Sequence, residues 1–399
     1  MEEPRKPRSR PAREHQGRSW PSPHSRALDD HDVEALSRWQ LSLVQGVGPR
    51  VCRRLIEHFG SAREVLAANF LQLRAVPGLP AATVRELLES PHAEWLTAEV
   101  RECRDEGVRV ITELDEAYGP MLAEIPDPPV VLYVRGTLLP SDRLSVALVG
   151  TRHASLYGRR QAERLASSLS RAGLTIVSGL ARGIDAAAHR ATLAAGGRTL
   201  AIVAGGLLEI YPSEHQGLAG EIAESGAVIS EMPLRFAPRR HAFPRRNRLI
   251  SGLSLGTLVV EATLRSGALI TARHAMEQGR DVFAVPGPVD QRTARGCHQL
   301  LRDGAKLVES ADDVLEELGP LVQPVPDAQG ELVCQVAELQ LNAMERRVLQ
   351  AISTESTRIE EVVVASGVAI QRVLATLSVL ESRRLVDRIG GDRVVRRPR

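Results

Sequence analysis

Six arginines, Arg235, Arg239, Arg240, Arg245, Arg246 and Arg248, fall within fourteen residues. A guanidinium is a forked, permanently charged donor that fits phosphate oxygens two at a time. Phe243 stands among them and offers a flat face to a base. Pro244 marks a helix start ahead of Arg245, Arg246, Asn247 and Arg248. The cluster is too basic and too poor in glycine to cradle one small nucleotide. It reads as a track for a polyanion, and arginine with an aromatic platform suits single-strand binding. A merely solvated arginine loop is the plainer alternative.

Four glycine-bearing turns follow apolar runs and could approach the same ligand. The first is Gly150-Thr151-Arg152, where glycine lets the backbone come close and a helix start could hold an anion. It lacks the GxGxxG dinucleotide fingerprint. The second runs from Ser178 and Gly179 through Arg182 and Gly183 to Asp185. His189 follows Asp185 by one helical turn; a capping Asp with a structural His is favoured over a catalytic pair, because no Ser nucleophile elbow accompanies them. The third is Gly205-Gly206, with Tyr211-Pro212 beyond it; Tyr211 could stack on a base or simply pack. The fourth carries Glu261, Ser266, Gly267 and Ala268. Glu261 could bind a ribose hydroxyl or act as an acid, but an ion pair with the arginine loop is favoured.

The chain has 399 residues, 43% hydrophobic and 25% charged, ordinary for a globular protein of several domains. The net charge is only +2, so any case for nucleic acid rests on local patches. Nearly all the basic residues are Arg, with Lys only at positions 6 and 306, an excess that genome composition explains better than function does. Cys52, Cys103, Cys297 and Cys334 show no CxxC or metal-ligand spacing, so reduced structural thiols and no metal or cofactor are expected. No apolar run is long enough to span a membrane, and the N-terminus lacks a secretory h-region. A cytoplasmic protein is expected.

These residues need elements to position them. Residues 1–30 are rich in Pro, Arg and Ser and read as a disordered basic tail. Residues 31–92 read as helical, with Gly46-Val47-Gly48-Pro49 and Val76-Pro77-Gly78 each feeding a helix, a helix-hairpin-helix pattern that could hold a DNA phosphate or a protein partner. Residues 93–320 combine a connector, with strands at 108–112 and 130–134, and a core alternating strand and helix. Its strands are expected at 145–149, 174–178, 199–204, 227–230, 257–261, 281–285 and 305–308. Continuous apolar strands between helices imply a doubly wound, mostly parallel Rossmann-like α/β sheet. Residues 321–341 read as a linker, and 342–399 as three helices and a hairpin, a winged helix. Arg388, Arg393, Arg396 and Arg397 on that hairpin leave duplex DNA open as a ligand of the terminal domains.

The ordered motifs resemble the DNA-processing protein A family, DprA or Smf. The resemblance rests on Ala147–Arg152 with Tyr157 and Gly158, Ser178–Asp185 with His189, Gly205-Gly206 with Tyr211-Pro212, Ser230-Glu231, Pro244–Arg248 with Ile250–Gly252, Glu261 with Ser266-Gly267 and Thr271-Ala272, and Val285–Gly287. Thr151 stands where Ser is commoner. The resemblance implies a non-enzymatic protein that binds single-stranded DNA without sequence preference, dimerises through the Rossmann-like domain and helps load the RecA recombinase in natural transformation and recombination. It implies DNA contact from Arg152, Arg182, Arg246 and Arg248. Gly150, Thr151, Ser178, Gly179, Gly183, Phe243, Arg245, Asn247, Ser266 and Gly267 complete the expected DNA site. A second class, a lysine-decarboxylase-like phosphoribohydrolase acting on a nucleoside monophosphate, would carry a PGGxGT turn, which this chain lacks.

Overall fold

The computed structural model describes residues 30–89, 92–318, 320–326, 330, 332–383, 385–390 and 392–397. The expected basic tail therefore lies outside the described residues. A nine-stranded sheet forms the centre, with β1 (Val108–Thr112), β2 (Val131–Gly136), β3 (Ser145–Val149), β4 (Thr175–Ser178), β5 (Thr199–Val203), β6 (Ala227–Ser230), β7 (Gly256–Val259), β8 (Asp281–Ala284) and β9 (Lys306–Leu307). Their spatial order is β1-β2-β6-β5-β4-β3-β7-β8-β9. Strands β3 to β9 are parallel throughout, while β1 and β2 join antiparallel at one edge. The segment read as a connector thus extends the main sheet.

Side chains alternate across a strand, and both faces here are covered. Leu144, Val146 and Leu148 pack with Ile176 against the helices Leu156–Arg171 and Ile184–Ala194. Ala147, Val149 and Val177 face the other way, toward Ala242–Gly252, Gly267–Glu277 and Arg295–Arg302. Burial on both faces explains why these strands are apolar runs rather than alternating patterns. From β3 the chain winds one way to β6, then crosses back to β7 beside β3. That reversal opens a crevice at the C-terminal strand ends, the usual ligand position in such sheets.

Short helices from Asp30 to Glu89 form the N-terminal unit, with Gly46 (φ +86) and Gly78 (φ +71) in its two turns. Trp39 ties it to the sheet by donating Nε1–H to the Tyr133 hydroxyl at 2.7 Å. At the other end, the helices Ala343–Gln350, Ile359–Ser366 and Ile370–Ser382 pack on the strands Val386–Arg388 and Arg393–Arg396, a winged helix. The linker expectation for 321–341 is corrected. That stretch pairs the strands Pro320–Pro326 and Leu332–Gln335, then forms the turn Val336–Gln340. Val325, Val333 and Val336 bury against the main core, so hydrophobic contact orders a segment that reads as a linker.

Candidate nucleic-acid interface

Loops after β3, β4 and β5 and the helix Ala242–Gly252 converge on one groove. Arg152, Gly179, Ala181, Arg182, Tyr211, Pro212 and Phe243 line it. The Arg152 guanidinium lies over the Phe243 ring, 4.9 Å from its centroid, a cation–π contact that orients both groups. Tyr211 meets Phe243 edge to face at 5.7 Å and remains 45% exposed. Arg182 is also exposed, and Glu214 takes its Nε and Nη2 at 2.5 and 2.8 Å. That pairing raises the Arg182 pKa and lowers that of Glu214.

The β4 turn is held firmly. Leu180 is the one non-glycine residue with positive φ (56°) among the described residues, a conformation costing on the order of 1–3 kcal/mol. The His215 ring bonds the Leu180 carbonyl at 2.8 Å and helps fix it. Asp185 Oδ2 accepts from the Gly179 and Ala181 N–H groups at 3.2 and 3.4 Å, bridging the turn rather than capping the next helix. The helix N-cap is Gly183. His189 bonds Thr199 Oγ1 at 2.7 Å, not Asp185, and is fully buried, so the structural role applies.

Much of the expected site lies beneath this groove. Arg246 is 6% exposed, donates Nη1–H to the Ile202 carbonyl at 2.6 Å, and sits with Asp185 against Gly179. A Cβ at Gly179 would come within 2.0 Å of Arg246 Nη1, so glycine is needed for the guanidinium to lie there. Arg248 is 2% exposed and bonds Glu231 at 2.6 Å, with Asp127 3.2 Å from its Nε. Arg246 and Arg248, expected at the DNA site, are therefore both buried: Arg248 sits in an ion pair network with Glu231 and Asp127, and Arg246 is held by the Ile202 carbonyl. Asn247 is buried too and donates to the Gly267 carbonyl at 3.2 Å. Ser178 is fully buried and donates its hydroxyl to the Leu148 carbonyl at 2.6 Å. Thr151 is buried, its hydroxyl taking the His153 N–H at 3.2 Å. Gly150 and Gly183 make room for Ile184 and the Thr151 carbonyl rather than for a ligand. Arg245 is exposed but 3.2 Å from Glu231. Ser266 caps the helix begun by exposed Gly267, on the β7 side of the crevice.

The crevice between β3 and β7 is occupied from within. Glu261 accepts the Ser155 N–H at 2.9 Å, at the start of the helix Leu156–Arg171, and its own carbonyl takes the Thr151 N–H at 2.7 Å. Gly158 leaves space for this carboxylate, since a Cβ would approach Glu261 Oε2 to 2.1 Å. The expected Glu261 ion pair with the arginine loop is absent among the described residues. A carboxylate at this helix N-terminus takes the favourable dipole position that a nucleotide phosphate would need. The packing of Tyr211 and Arg152 on Phe243 does not follow from the arginine cluster; the Tyr-Pro dipeptide beyond two glycines is the sequence signal that points to it.

The terminal units carry fewer free cations than their sequences suggest. Of the wing arginines, Arg388 faces Glu381 (3.4 Å), Arg396 Glu338 (2.6 Å) and Arg397 Asp387 (2.7 Å). Near the first hairpin turn, Arg50, Arg53 and Arg54 line a cavity of about 170 Å³ that also holds Glu57 and Asp127.

Core, helical hairpins and winged helix together define the class: a Rossmann-like α/β protein flanked by two small helical modules. The DNA recombination-mediator protein A family model matches residues 109–319, a SAM-like helix-hairpin-helix tandem matches 40–90, and the DprA winged helix domain matches 335–392. The chain is 34% identical over 388 residues to Protein Smf of Synechocystis sp., covering 89% of this chain and 97% of that protein. It is 44% identical over 217 residues to the DNA processing protein DprA of Bacillus subtilis, covering 54% and 73%. The X-ray structure of DNA processing protein A from Streptococcus pneumoniae superposes with a TM-score of 0.62 at 34% identity, covering 73% of this chain and 98% of that one. The chain belongs to the DNA recombination-mediator protein A (DprA/Smf) family. No single described helix is long and apolar enough to cross a membrane.

Proposed function

We propose that this protein binds single-stranded DNA without sequence preference through the groove of Arg152, Arg182, Tyr211 and Phe243. It acts in the cytoplasm as a homodimer and helps load the RecA recombinase during natural transformation and DNA recombination. No chemical step on DNA belongs to this role. The observation that carries the reading is Arg152 stacked over Phe243 beside half-exposed Tyr211. Unpaired bases expose π faces that such side chains cover, whereas bases in a duplex do not. Family membership supports DNA as the ligand. The phosphoribohydrolase alternative is not favoured, because Glu261 holds the switch-point helix start.

Fluorescence-anisotropy titration of labelled oligo-dT tests the site. Arg152→Ala and Phe243→Ala are each expected to weaken binding, by about 1–3 kcal/mol where the aromatic platform is removed. Wild-type affinity in both variants would remove the groove from the binding path.

A further inference from the structure

We propose that the single strand does not end in the groove but continues across the C-terminal ends of β3, β7 and β8, on a ledge of exposed apolar and arginine side chains. The proposal rests on the groove binding single-stranded DNA.

Four backbone-anchored hydrogen bonds make the ledge one surface. Thr151 N–H donates to the Glu261 carbonyl, the Tyr157 hydroxyl to the Pro286 carbonyl, and Gly296 N–H to the Ala262 carbonyl, each at 2.7 Å. The His298 ring bonds the Gly287 carbonyl at 2.9 Å. The loops after β3, β7 and β8 are thereby tied side by side. The ledge adjoins the groove through a single short segment, since Arg152 and Leu156 bound the same turn.

The chemistry of this surface differs from that of the arginine cluster read from sequence. Leu156 is 66% exposed, Leu264 58%, Val289 85% and Tyr157 36%. Isolated exposed apolar residues are ordinary, but here four stand on one helix start and two loops that the hydrogen bonds tie side by side. Arg265, Arg292 and Arg295 are exposed on the same loops, and none has an ion pair among the described residues. In contrast, Arg182, Arg245 and Arg248 all face carboxylates. The nearby acids are exposed Asp290 and buried Glu261. Free guanidiniums favour a polyanion, and the apolar side chains between them favour one with apolar faces. Single-stranded nucleic acid combines both; a protein partner would leave three desolvated cations to neutralise. The ends of β4, β3, β7 and β8 are successive. From β3, whose loop already lines the groove, to β8 are two strand spacings, which at about 4.8 Å each lengthen the path by roughly 10 Å.

The test compares oligo-dT of about four and about sixteen nucleotides, the span of site sizes in single-strand modules. The full chain is titrated across a salt series as wild type, as Arg152→Ala, and with Arg265→Gln, Arg292→Gln and Arg295→Gln combined. All three glutamines replace exposed side chains, so folding is retained and is checked by thermal melting. The combined variant is expected to bind the short oligomer like wild type. For the long oligomer, its slope of log K against log salt should be shallower by about 2, at about 0.7 for each phosphate no longer neutralised. An unchanged slope and affinity for the long oligomer, with Arg152→Ala weakening both oligomers, would overturn the ledge and leave the groove standing. Arg152→Ala without effect on either oligomer would instead remove the groove, and the ledge with it. A third variant, Val289→Ser, is expected to leave the sedimentation profile unchanged. If it alters oligomeric state without affecting DNA binding, the ledge is an interface between copies and the proposal fails.

Discussion

Replacing Arg246 should destabilise the core rather than merely weaken DNA binding. Its guanidinium is 6% exposed and packs beneath Gly179 beside buried Asp185. Burial pushes the Arg246 pKa down to about 10, with Asp185 opposing that shift, and the same burial pushes Asp185 up against the pull of Arg246. Each group therefore depends on the other to remain charged. Arg246→Met keeps the volume but strands the Asp185 carboxylate. Asp185 keeps its two backbone N–H donors, so the cost is that of losing the charged hydrogen bond from Arg246 to the Ile202 carbonyl and its field on Asp185, about 1.5–3 kcal/mol. In a domain of this size each kcal/mol lowers Tm by about 2–4 °C, so the drop should be roughly 3–12 °C. Differential scanning calorimetry measures it, with exposed Arg152→Met as the comparison, expected within about 0.5 kcal/mol of wild type. Asp185→Asn added to Arg246→Met should recover part of the stability. If Arg246→Met melts like wild type but binds oligo-dT more weakly, Arg246 reaches DNA in solution and its buried guanidinium does not hold the core.

In the proposed groove Glu214 would compete with phosphate for Arg182, since its two oxygens already take the Nε and Nη2 of one guanidinium edge at 2.5 and 2.8 Å. Glu214→Gln is expected to raise oligo-dT affinity at low salt and to steepen the salt slope by about 0.7, the value for one more neutralised phosphate; weaker binding would make Glu214 an orienting group instead. His189 supplies a pH dependence of stability. Its Nδ1 is engaged by Thr199 while Nε2 is buried with no hydrogen-bond partner among the described residues, and burial lowers its pKa from 6.5 to about 3. The unfolded chain takes up the proton near 6.5 and the folded chain does not until about 3. Its contribution is thus complete above 6.5 and is lost, at up to about 1.4 kcal/mol per pH unit, as pH falls through that window. Urea denaturation from pH 7 to 4 should show a shallower decline in His189→Gln; parallel curves would contradict the assignment.

Much of the core can be read from apolar runs, because burial on both faces removes the alternation that otherwise confuses strand with loop. Residues 145–149 and 227–230 read as strands and are β3 and β6. The antiparallel joining of β1 and β2 is not legible, since it depends on pairing with distant β6. Residues 321–341 read as a linker, and their ordering depends on distant contacts of Val325 and Val333 that no local pattern shows. The site is harder. Sequence shows that six arginines are near one another but not which way they face. Arg246 and Arg248, two positions apart on the helix Ala242–Gly252, are both buried because the helix is covered on opposite sides, while Arg239 and Arg240 before it and Arg245 on it stay exposed. Glu261 cannot be placed from sequence either, because its partner is a backbone amide of Ser155, which carries no side-chain signature.

The most direct test of the central claim is a titration of the wild-type chain with labelled oligo-dT and with a duplex of equal length, repeated across a salt series. The expected result is tighter binding of the single strand, with log K falling linearly as log salt rises. Equal or stronger binding of the duplex, or no single-strand binding at low salt, would contradict it.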